Sequence, residues 1–176
     1  MDKFVSAIGN AAANLDKNSD AYKKVSAAAN FLGKAGEKNG VTLSPAALAK
    51  NTLASAGPGG KISVDVKQIS SAAAKFGPGK PGMSSDSVRT SLGAYALAHE
   101  ARHELDFQRV GFPRSPAEDF RTELNAYRTS AGIGRGLGFA TGLWSPGITP
   151  EQQDRAIETA AQGSVDAWCK AGGPCQ

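Results

Sequence analysis

The sequence predicts a helix-rich α+β protein, and three observations carry that reading. Thirty alanines stand against twelve aromatic residues, a balance that suits helices packed closely through small side chains rather than a β-sandwich. Apolar residues recur at helical spacing in successive stretches, from Phe4, Ile8, Ala11 and Leu15 at the start to Ile157, Ala161, Val165 and Trp168 near the end. The clearest strand is Ile62-Ser63-Val64-Asp65-Val66, where apolar and polar residues alternate. A chain of 176 residues is long enough for one domain, or one domain with an appendage, to bury roughly two-thirds of its unfolded surface.

The elements follow in order. Phe4 to Leu15 and Tyr22, Val25, Ala29, Leu32 give two amphipathic helices before a break from Gly33 to Gly40. Ser44-Pro45 predicts a third, short helix with Ser44 as N-cap, Pro45 at the first position, and Leu48 and Leu53 on its buried side. Gly57-Pro58-Gly59-Gly60 ends it, the strand follows, and a second extended segment is expected near Lys75-Phe76, ahead of a loop from Gly77 to Gly82. After the caps offered by Ser84-Ser85-Asp86, one helical stripe runs through Val88, Leu92, Ala96, His99 and His103 to about Arg109. Gly111 and Pro113 stop it, and Ser115-Pro116-Ala117-Glu118 is a capping box opening a helix with Phe120, Glu123, Leu124 and Tyr127 that ends near Ala131. Gly132 to Gly147 reads as too broken for a regular helix, and Thr149-Pro150-Glu151-Gln152 is another capping box opening the last helix. The expected division is a helical N-terminal segment over residues 1–56 and a second unit over 57–176.

Charge and composition narrow the function. The net charge of +4 is too small and scattered to form the dense basic face that nucleic acid requires. Its distribution is uneven: residues 1–80 carry eleven Lys, no Arg and five acids, whereas 81–176 carry eight Arg, one Lys and eleven acids. No run approaches the ~20 apolar residues of a membrane span, so stable membrane insertion is not expected. Met1-Asp2-Lys3-Phe4 does not begin a classical secretory signal, and any export is expected to use another route. Cys169 and Cys175 flank a turn-forming stretch and could close a small disulfide or remain two reduced thiols.

The chemistry concentrates in His99-Glu100-Ala101-Arg102-His103. On a helix, residues four apart project from one face, so two imidazoles can share one ion while Glu100, rotated by about 100°, reaches a water beside it. Two neutral imidazoles suit Zn2+, which in catalytic sites takes three protein ligands and keeps a fourth position for water. Glu100 is then the candidate general base. A di-iron site needs a second ExxH unit, and the chain has no third histidine. The third zinc ligand must therefore be a carboxylate, with Asp106, Glu118, Asp119 and Glu123 as the nearby choices. Glu123 is preferred: Asp106 lies one turn past His103 on the same helix, Glu118 and Asp119 belong to the first turn of the next, and Ala126 allows that helix to approach closely. Tyr127 and Tyr95, each one turn from a site residue, are candidate phenol donors to an oxyanion, while Arg102 and Glu104 read as solvated helix surface.

Residues 96–127 resemble the active-site core of zincin metallopeptidases of the glutamate-ligand class, in which HExxH is followed by a glutamate on the next helix and a small residue three positions later. The resemblance implies a zincin-like core with a small sheet, an active-site helix and a ligand helix. It also implies metal ligation by His99, His103 and Glu123 with Glu100 as base, in a zinc-dependent hydrolase of protein or peptide. Tyr127 stands where thermolysin-like members place an aspartate that orients a histidine, and Arg109 stands where metzincins place their third ligand. The alanine- and glycine-rich lead is similar to metallopeptidase toxin domains of bacterial polymorphic and secretion-system effectors. That likeness implies a secreted effector acting in the periplasm or cytoplasm of a target cell, with an immunity protein as inhibitory partner. Two other classes remain as rivals: a non-enzymatic interaction module with a structural metal, and a membrane-active toxin working through Gly132–Trp144.

Overall fold

The computed structural model describes residues 1–34, 37, 39–76, 83–173 and 175. The loop expected from Gly77 to Gly82 and part of the break before Gly40 lie outside the described residues. Among those described, six helices and one three-stranded sheet form a helix-rich α+β fold: α1 (Asp2–Ala13), α2 (Asp20–Leu32), β1 (Thr42–Pro45), β2 (Ala54–Gly57), β3 (Lys61–Val64), α3 (Val66–Lys75), α4 (Ser85–Val110), α5 (Pro116–Gly136) and α6 (Pro150–Lys170). The expected division at residue 56 falls inside β2, and α1 and α2 pack directly on α4 and α5.

The helix starts follow cap chemistry. Ser84, Ser115 and Thr149 each accept a hydrogen bond from a backbone N–H of the following first turn, satisfying a donor that the helix leaves unpaired. Thr149 and Gln152 form a reciprocal capping box. Helix α4 is the central element, touching α1, α2, α3, α5 and the sheet. Its first half is apolar almost all round, as burial on several sides demands, with Leu97, Ala98 and Ala101 fully covered. Ile8, Val25, Ile62, Val64, Ile69 and Ile133 complete this core, each such aliphatic side chain contributing roughly 1.5–3 kcal/mol by leaving water. A smaller cluster of Ala131, Leu143 and Ile157, flanked by Tyr127 and Trp144, seats α6 on α5.

The sheet departs from expectation. Its order is β1-β3-β2, with β1 parallel and β2 antiparallel to β3. Ser44-Pro45, expected to open a helix, instead lies in β1, where Ser44 pairs with Ser63 and Pro45 with Val64. Proline is tolerated there because β1 is an edge strand. The following loop is held from outside: Leu48 N donates to Asp65 Oδ2, and Gln68 Nε2 donates to the carbonyls of Leu48, Ala49 and Thr52. Asp65 leaves the expected strand to cap α3, whose Lys75 end replaces the extended segment expected near Lys75-Phe76. Three hydrogen bonds, from Leu48 N, Gln68 N and the Gln68 amide, hold the Asp65 carboxyl down at about 2. Helix α5 likewise runs on to Gly136, beyond the expected end at Ala131, because Gly132 and Gly136 let α2 and α1 come close.

Candidate metal centre

Helices α4 and α5 are joined by the short turn from Gly111 to Ser115 and pack side by side, with Ala126 fully buried between them. That return brings Glu123 back onto His99 and His103, so three of the predicted residues meet. The two imidazole Nε2 atoms are 3.1 Å apart. Glu123 straddles them, with Oε2 3.4 Å from His99 Nε2 and Oε1 3.4 Å from His103 Nε2. Adjacent ligand atoms of a tetrahedral zinc site are about 3.3 Å apart when bonds are about 2.0–2.1 Å, so these separations match a common ion. The chemistry agrees, since two neutral imidazoles with their Nε2 lone pairs face to face repel unless a proton or a cation lies between them. The group could hold a metal ion, and two imidazoles with one carboxylate are a donor set that suits zinc.

In the metal-free protein a proton takes that place. Burial raises the Glu123 carboxyl, but hydrogen bonds from His103 and His99 outweigh it and hold the group at about 2. Burial lowers His103, while its bond to Glu123 and the charges of Glu123, Glu100 and Asp119 more than reverse the effect, leaving it raised. His103 Nδ1 is buried with no hydrogen-bond partner. Asp119, on the same α5 face one turn before Glu123, is buried and raised by desolvation and by the Glu123 charge.

Glu100 sits beside the triad, and the backbone N–H of Ala56 in β2 donates to its Oε2 at 2.7 Å. One oxygen of the candidate base is thereby fixed by the sheet edge, leaving Oε1 for proton transfer. Both predicted tyrosines line the same cleft. The Tyr127 ring packs edge-on against His99 with centroids 4.6 Å apart, and its hydroxyl is 2.9 Å from Ser164 Oγ, on α6. Burial raises the phenols of both Tyr127 and Tyr95, so each is a neutral O–H donor at neutral pH.

Two expectations require correction. Arg102 and Glu104 are not a solvated surface. Glu104 is 2% exposed and its Oε2 accepts from Gly60 N, at the β2–β3 turn where Gly59 and Gly60 both adopt φ +75°. Arg102 binds Asp106 with two nitrogens, at 3.1 and 2.6 Å. Asp106 also accepts from Asn125 of α5, so it ties the two helices together rather than orienting a histidine.

The triad and Glu100 open onto a cleft of about 740 Å³ whose lining includes residues 51–56, Phe107, Phe112, Pro113, Ser164 and Trp168. Sequence reasoning missed Phe107, Ser164 and Trp168. The usable signal was spacing: Phe107 is one turn beyond His103 on the same stripe, and Ser164 and Trp168 are one turn apart on α6. Phe139 and Trp144 belong instead to the cores. Cys169 and Cys175 form a disulfide with Cα atoms 5.4 Å apart. No helix among the described residues is long and apolar enough to cross a membrane. Comparisons with protein-family models, curated proteins and solved structures give no match to this chain, so the chemistry of the site has to carry any functional reading.

Proposed function

We propose that the protein is a zinc-dependent metallopeptidase with a zincin-like core. The observation that carries this reading is the convergence of His99, His103 and Glu123 on one point at the floor of an open cleft, with Glu100 alongside. Zinc, when bound, supplies a Lewis acid that polarises the scissile carbonyl and acidifies a water. The rest is done by side chains of this chain. Glu100 accepts the water's proton at Oε1 and returns it to the leaving amine, held in place by Ala56 N–H. Tyr127 and Tyr95 are the available phenol donors to the oxyanion, and the outer edge of β2 borders the cleft where an extended peptide would add as a strand.

Three protein ligands facing an accessible cleft favour a catalytic over a closed structural site. The membrane-active reading loses support because Gly132, Ile133, Phe139 and Leu143 are buried in the fold. The likeness to effector toxin domains extends the proposal to a secreted protein that acts inside a target cell and is restrained by an immunity protein.

The test pairs metal analysis with activity. One zinc per chain is expected in wild type and in Glu100→Gln, and loss of the ion in His103→Ala. Peptide hydrolysis, and growth arrest on expression in a susceptible cell, should fall by roughly 10²–10⁴-fold in Glu100→Gln. A fully active Glu100→Gln protein would contradict the mechanism.

A further inference from the structure

We propose that Phe107, Phe112 and Pro113 form a side-chain subsite that selects peptides with a large apolar or aromatic residue beside the scissile bond. The inference rests on the peptidase reading and adds its substrate class.

Three rings form a ladder leading out from the metal ligands. His103 stacks on Phe107 with centroids 5.6 Å apart and planes 18° from parallel. Phe107 then stacks on Phe112 at 4.3 Å. An extended chain advances about 3.3 Å per residue, so the ladder covers the first few substrate residues on one side of the reacting carbonyl. Phe112 is 51% exposed, an aromatic surface left in water at the rim of a cleft, where a bound side chain would cover it.

Charge points the same way. Among the described residues lining the cleft, Glu100, Asp119 and Glu123 are the acidic ones, and none is Lys or Arg. An acidic substrate side chain would meet like charge without a cation to pair with. An apolar one meets rings. The backbone of the β2 edge recognises no particular side chain, so selectivity falls to the ladder.

The experiment digests a mixed peptide library with the zinc-loaded protein and maps the cuts by mass spectrometry for wild type, Phe112→Ala and Phe112→Arg. Because Phe112 is exposed, both variants should fold. Wild type is expected to favour Phe, Leu, Met or Tyr next to the cut over Ala by at least about tenfold, with Asp and Glu lower still. Phe112→Ala should shrink that preference about tenfold, chiefly through KM, and Phe112→Arg should admit acidic residues. A second arm measures calorimetric binding of uncleaved Phe-containing and Asp-containing peptides to Glu100→Gln. Cutting with the same side-chain preference in all three proteins would overturn the subsite and leave the peptidase standing. Absence of cutting, with the Phe peptide still binding better than the Asp peptide and losing that advantage when Phe112→Ala is added, would keep the subsite and sink the peptidase. Equal binding of the two peptides overturns the subsite. Self-association abolished by Phe112→Arg, with cleavage preference unchanged, would assign the patch to a second copy of the chain and also overturn it.

Discussion

Helices α4 and α5 run side by side through two unlike environments. At one end, the first half of α4 and the last turns of α5 meet α1 and α2 through alanine, glycine and aliphatic side chains. At the other, the same pair encloses His103, Glu104, Asp106 and Asp119, all buried, with Glu123 nearly so. The first end is stabilised by close contact and the removal of apolar surface from water. The second desolvates several charges that stay affordable only while each has a partner. One pair of helices thus carries a self-sufficient apolar end and a polar end whose triad is completed by an ion. The contrast places stability and chemistry at opposite ends of a shared frame.

The largest effect is expected where a buried charge loses its partner. Asp106 is 1% exposed and holds Arg102, whose side chain is 16% exposed, together with Asn125 of α5. Asp106→Ala strands that guanidinium, and a loss of about 3 kcal/mol is expected in chemical denaturation. Zinc should recover part of it, because an ion that binds only the folded state stabilises by mass action. A loss below about 0.5 kcal/mol would show that the polar end is held by something other than this network.

The apolar end should break differently. A methyl group on Gly136 would collide with the backbone of Ala11 in α1, and neither backbone has a side chain's freedom to yield. Gly136→Ala is expected to cost about 2 kcal/mol while leaving the zinc affinity of the folded protein unchanged. Altered zinc affinity would mean that the two ends are coupled through α5, contrary to the separation drawn above.

The same contrast decides what the sequence discloses. Helical caps and the HExxH spacing are local, so Ser84, Ser115, Thr149 and the paired histidines could be read directly. Glu123 was within reach because a short turn after α4 forces α5 back along it. Ser44-Pro45 has the local chemistry of a helix start, yet long-range pairing with β3 overrides it. Glu104 looks like a surface residue on its helix and is buried only because the Gly59-Gly60 turn folds over it and offers an N–H. The Phe112 end of the cleft is illegible for the same reason, since a ring at the end of one helix gains meaning only from Phe107 behind it.

The smallest effect concerns the triad's response to pH, and it separates the proton-held state from the metal-held one. In the metal-free protein Glu123 is depressed from 4.5 to about 2, so its contribution to stability is present above about 4.5 and is lost as pH falls toward 2. His103 is raised above 6.5, so its contribution is complete below that value and is lost as pH rises through the folded pKa. Together they stabilise the metal-free fold most between about 4.5 and 6.5. Zinc needs both imidazoles deprotonated, so its stabilising increment must grow with pH over the range in which the proton-held pair weakens. Melting curves from about pH 6 to pH 8 should show the metal-free Tm drifting down by a few degrees while the increment from added zinc climbs. An increment that stays flat across that range would mean that the ion, if it binds, does not displace the proton shared by His99, His103 and Glu123.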